Sequence, residues 1–168
     1  GLAEVVPLFI QAQTLEPPPG VKPYDPLRLA GKDIYVREGC YLCHSQMIRP
    51  IRAETERYGE YSKPGEFVYD HPFQWGSRRI GPDLQRIGGK YPDLWHVRHM
   101  EDPRAITPQS IMPAYAWLLA DDLAFDEIQR KVDVMVMLGV PYGDSVLHAE
   151  AQAHEQARAV AENIAKQG

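Results

Sequence analysis

Apolar positions recur at helical spacing in four places along the chain, and a long polar stretch separates the first from the rest. The first helix is predicted to open at Asp25, an N-cap residue, with Pro26 at the first helical position. Leu27, Ala30, Ile34 and Glu38 then share one face, which carries the helix up to about residue 39. Pro92 opens a second, short helix bearing Leu94, Trp95 and Val97, which must end before Pro103. Phe125, Ile128, Val132 and Met135 follow the clearest three-four spacing, capped by Asp121 or Asp122 and stopped by Gly139 and Pro141. The last helix spans 145–166, with Ala149, Ala153, Ala157, Val160 and Ile164 on one weakly apolar face. Those small side chains bury little area, so loose packing is expected there.

Between these elements the pattern breaks down. Residues 45–80 are rich in Arg, Tyr and Gly without a sustained period, and a loop of this length inside a compact domain usually has a task. Docking a partner, or covering a cofactor edge, would suit its arginines and aromatics; a packed surface excursion is the plainer reading. Gly81-Pro82-Asp83-Leu84 and Gly88-Gly89 read as turns, and 107–115 as a loop stiffened by Pro108 and Pro113. Ahead of the first helix, Glu16-Pro17-Pro18-Pro19-Gly20 reads as an extended linker. The pattern divides the chain into a lead-in at 1–24, a helical domain at 25–142 and a helical extension at 143–168.

Composition narrows the function classes. With 44% hydrophobic residues the chain can bury a core, and its net charge of −5 argues against a nucleic-acid partner. The apolar run at 5–10 is far shorter than the roughly 20 residues a membrane span needs. No basic segment precedes it, as a signal peptide would require. An export signal or membrane anchor is therefore expected outside this sequence.

The chemistry concentrates at residues 40–44, Cys-Tyr-Leu-Cys-His, which hold the only two cysteines. Two thiols at this spacing with a histidine directly after the second form the attachment pattern of a c-type haem. Cys40 and Cys43 can each bond a vinyl-derived carbon of the porphyrin, and His44 can place a ring nitrogen under the iron. A thioredoxin-like redox pair would not need His44, and a zinc site would need more thiolates than the chain has. Covalent haem of this kind is installed outside the inner membrane, so a periplasmic location is expected.

The second axial position is open, or held by Met or His. Met47 is three residues from His44 and should stay on the same side of the ring; Met100 sits near a helix end, while Met135 and Met137 lie on the amphipathic helix. Met112 lies in a proline-stiffened loop distant in sequence from the motif, so its sulfur is the candidate for the far face. His96 and His99 are spaced i, i+3 but lack a third ligand for a metal. His71 reads as a loop residue, and His148 and His154 as solvated positions.

Residues 40–44, Gly81-Pro82-Asp83-Leu84 and Met112-Pro113 fall in the order seen in class I cytochromes c, and the chain resembles that family. The resemblance implies that the Pro82 carbonyl accepts a hydrogen bond from His44 and that Leu84 packs on the ring. It implies a mainly α, class I cytochrome c fold, to which the pattern of this chain adds a long loop insertion between the haem motif and the Gly-Pro turn and an extra C-terminal helix. Arg-Glu-Gly-Cys-Tyr at 37–41, Ser-Gln-Met-Ile-Arg-Pro at 45–50 and Arg-Ala-Glu-Thr-Glu-Arg-Tyr-Gly at 52–59 narrow it further. So do Val-Tyr-Asp-His-Pro-Phe-Gln-Trp-Gly-Ser at 68–77 and Ser-Ile-Met-Pro-Ala-Tyr at 110–115. These segments resemble the mono-haem cytochrome c subunit (subunit II) of cbb3-type cytochrome c oxidases over about residues 1–142.

That likeness implies one haem c ligated by His44 and Met112, and a chain that is not an enzyme by itself. Its partners would be the catalytic and di-haem cytochrome subunits of a membrane oxidase, or a soluble redox donor. Leu84, Ile111, Tyr115 and the helix around Ile128 and Val132 would form a low-dielectric pocket, and Arg78 and Arg86 are candidates for pairing with the haem propionates. A free-standing periplasmic electron carrier, and a haem sensor or peroxidase with an open distal face, are the alternative readings.

Overall fold

The computed structural model describes residues 1–3, 6, 7, 10, 16–76 and 78–168, so the apolar run at 5–10 lies in part outside the described residues. Its regular elements are helical, with no strand among the described residues. The α-helices are α1 (Pro26–Arg37), α2 (Arg52–Tyr58), α3 (Asp93–Glu101), α4 (Pro103–Ile106), α5 (Ile128–Met137) and α6 (Ala149–Gln167), joined by short 3-10 turns. No helix among the described residues is long and apolar enough to cross a membrane. The elements gather into two compact units, one of Gly1–Tyr24 with Tyr41–Gln85, the other of Asp25–Cys40 with Arg86–Gly168.

The second unit is a helical cluster in which α1 packs on α5 and α6, and α6 also reaches α3. Asp25 caps α1, its Oδ1 accepting from the Arg28 N–H at 3.0 Å, and Pro26 occupies the first turn. The inward face is Pro26, Leu29 and Ala30 rather than the stripe expected through Leu27. Leu27 instead donates its backbone N–H to Gln156 Oε1 on α6. Ile128, Val132 and Met135 of α5 are buried as their spacing requires. Neither Asp121 nor Asp122 caps that helix; it is entered through a 3-10 turn, Phe125–Glu127, whose Phe125 ring stacks on His154 at 3.9 Å. Gly139, at φ 89°, closes α5, with Val140 N–H donating to Met135 O and Gly139 N–H to Val136 O.

Helix α6 is not loosely attached. Ala149 and Ala153 are fully buried, and their small size is what lets the α6 backbone approach its neighbours. Gln129 Oε1 accepts from Ala149 N–H, and Asn163 Nδ2 donates to Asp93 Oδ2 at 2.6 Å.

In the first unit, the stretch expected to lack regular structure contains α2 and a 3-10 turn, Pro64–Phe67. The only buried residue of α2 is Glu54, so this helix presents an ion inward and shows no apolar stripe to reveal it. Ile48 and Phe67 form the small apolar core. The proline-rich segment is no free spacer: a Cβ on Gly65 would fall 2.8 Å from Pro18 Cδ and 2.5 Å from the Glu16 carbonyl oxygen. Glycine at 65 is what allows that segment to lie against the turn.

Candidate functional site

Helix α1 delivers the chain to the motif. Gly39, at φ 71°, takes the left-handed conformation that ends the helix, and its N–H donates to Val36 O at 3.1 Å. A 3-10 turn, Cys40–Leu42, follows at once. Both cysteines are half-buried and neither is in a disulfide.

In the first unit His44 meets the Gly-Pro turn. Its Nδ1 lies 2.8 Å from the Pro82 carbonyl oxygen. A carbonyl can only accept, so this hydrogen bond places the ring proton on Nδ1 and leaves a lone pair on Nε2. That tautomer is the one in which imidazole ligates a metal through Nε2. Gly81 makes room for the ring: a Cβ there would come within 2.8 Å of Nδ1 and collide with Cε1. Backbone bonds fix the approach, with Ile80 and Gly81 N–H both donating to Cys43 O at 2.8 Å and Leu84 N–H to Ser45 O at 2.9 Å. An oriented imidazole with a lone pair on Nε2, directly following a Cys-x-x-Cys pair in sequence, fits a haem iron and its attachment.

Beneath this pair lies a buried ionic cluster that sequence reasoning missed. Arg79 donates through Nε to Ser45 Oγ at 2.6 Å, and through Nη2 to Met47 O at 2.9 Å and Glu54 Oε2 at 2.7 Å. Ser45 Oγ in turn donates to Asp83 Oδ2 at 2.5 Å. The Asp83 side chain is 0% exposed and accepts further from the Met47 and Gln85 backbone N–H groups. Arg49 donates to Glu54 from its backbone and its guanidinium. The Arg79 hydrogen bond holds the Glu54 carboxyl down to about 2 against the opposing effect of burial, and Arg49 adds to it. Arg79 rises in response, chiefly through the same bond. The Arg79 guanidinium also sits 5.1 Å from the centre of the Tyr58 ring.

The remaining sequence candidates are dispersed. Arg78, next to the half-buried Arg79, is exposed; Arg86 and Leu84 are half-buried. Met112 and Ile111 belong to the second unit, in the loop after α4. Met112 is half-buried and its N–H donates to Ser110 Oγ at 3.2 Å, while Ile111 is 79% exposed. Met135 is a core residue of α5 and Met137 is 77% exposed. His99 stacks on Trp95 at 4.6 Å, and no cluster of three metal-binding side chains occurs among the described residues.

A mainly α frame around a Cys-x-x-Cys-His segment is the architecture of a cytochrome c. Over its full length, residues 1–168, the chain matches the family model described as cytochrome c oxidase, mono-heme subunit/FixO. The chain therefore belongs to that family, the mono-haem subunit of cbb3-type oxidases. The match runs through α6, beyond the limit near residue 142 expected from sequence motifs. No curated protein matches the chain.

Proposed function

We propose that this chain carries its single haem covalently on Cys40 and Cys43, with His44 and Met112 as axial ligands. It would relay electrons one at a time in the periplasm toward the catalytic subunit of a cbb3-type oxidase. The di-haem subunit or a soluble donor would supply them. The observation that carries this reading is the His44–Pro82 hydrogen bond at 2.8 Å inside a Cys-x-x-Cys-His segment.

Bound haem would supply an iron that takes up and releases one electron without making or breaking a substrate bond. The protein's residues set the conditions for that exchange. Pro82 fixes the His44 tautomer and increases its basicity as a ligand. Met112, on a loop bracketed by Pro108 and Pro113, would offer a thioether, which favours ferrous iron more than a second imidazole does. Cys40 and Cys43 would hold the group irrespective of its oxidation state. Leu84 and Ile111 would supply apolar surface to limit water at the bound group, and Arg78 and Arg86 are the candidate partners for its carboxylates.

Substitution of Met112 tests the ligand assignment. Met112→Ala should convert the reduced protein from a low-spin form to one that is high-spin and binds carbon monoxide. Low-spin methionine ligation persisting in that variant contradicts the assignment.

A further inference from the structure

We propose that Arg79 is a positioning residue: together with Glu54 and Asp83 it holds His44 in register with the Pro82 carbonyl and so sets the strength of that hydrogen bond. The inference rests on the haem reading above, because it assigns the cluster an effect on the ligand imidazole.

Ser45 follows His44 and Asp83 follows Pro82, so the Ser45–Asp83 hydrogen bond at 2.5 Å is a second rung beside the His44–Pro82 rung at 2.8 Å. The two rungs connect segments 38 residues apart in sequence, and a slip in one moves the other. Ser45 Oγ donates to Asp83 while accepting from Arg79 Nε, so the guanidinium polarises the hydroxyl toward the carboxylate. Arg79 also takes hold of the segment after the motif at Met47 O and of α2 at Glu54 Oε2. Three segments therefore meet on one planar fork, a geometry that lysine cannot reproduce.

Burial makes the arrangement specific. Side-chain exposure is 0% at Asp83, 7% at Glu54 and 13% at Arg79. A fully buried carboxylate is costly without a compensating cation, and Arg79 Nη2 lies 3.4 Å from Asp83 Oδ2. A cluster that only braced the fold would leave the His44 bond unchanged when weakened, provided the chain stayed folded. A positioning cluster would not. Loosening it should lengthen the Nδ1–H···O bond, lower the basicity of the imidazole and favour ferrous iron.

The test uses the full-length, haem-loaded chain. In Arg79→Lys the His44 ring N–H of the reduced protein should exchange with solvent about tenfold faster, as expected when a charge-assisted contact supporting it is lost. The reduction potential should rise, and the helical circular dichroism should stay as in the wild type. Should Arg79→Lys fail to accumulate with haem, the same two readouts are taken on Glu54→Gln, which removes one partner of the fork and leaves a neutral amide on α2. Arg130→Gln, at a side chain 77% exposed on α5, controls for the loss of one positive charge. Wild-type exchange and potential together with a lowered melting temperature would overturn the proposal and leave the cluster as a structural brace. A folded, colourless wild-type chain would instead be a failure of the haem reading, and this inference would fall with it.

Discussion

Glu54 shows how much of this site depends on charge placed out of water. Its carboxyl lies at about 2 in the folded protein, below the ordinary value of 4.5, held there first by Arg79. The unfolded chain therefore takes up the proton at higher pH than the folded one. The stabilisation from this ionisation is complete above about pH 4.5 and disappears as the pH falls toward 2. Glu54→Gln should lower stability at neutral pH by roughly 1–3 kcal/mol, the cost of losing charge-assisted hydrogen bonds. The difference between variant and wild type should shrink across that acid window, as followed by thermal melts. A difference that stays constant from pH 6 to pH 2 contradicts the assignment. At this scale Cys40, Cys43 and His44 stand out as candidates in the sequence because the chemistry proposed for them depends on local spacing alone. Arg79 does not. It stands next to Arg78, and only the path of the loop decides which of the two turns inward.

Among the elements, the N-terminus of α1 follows from Asp25 and Pro26, and the end of α5 from Gly139, because caps are local features of the chain. Helix α2 has no such signature. Its seven residues bury one glutamate and no hydrocarbon, so periodicity of apolar residues has nothing to detect. Helix α6 is legible as a helix from its periodicity, but its close packing is not, since buried area is a poor guide where small side chains permit close approach. Ala153 is 0% exposed on the face that meets the other helices of its unit. Ala153→Leu should therefore destabilise the protein by about 1–3 kcal/mol through overpacking, measured by chemical denaturation. A neutral or stabilising effect would show that α6 lies free of its neighbours.

For the molecule as a whole, family membership over residues 1–168 makes α6 part of the subunit's common plan. The two compact units divide the candidate ligands between them, His44 in one and Met112 in the other. His44 follows from the spacing of its motif and Met112 from its place in a proline-stiffened loop, and no spacing rule links the two. The claim on which everything else depends is that residues 40–44 bind haem covalently. Its most direct test is the intact mass of the chain after expression with a cytochrome c maturation system and denaturation in acid. The mass of one haem should be added to that of the polypeptide, and lost when Cys40 and Cys43 are both replaced by Ala. A folded wild-type chain with the mass of the bare polypeptide would contradict that claim.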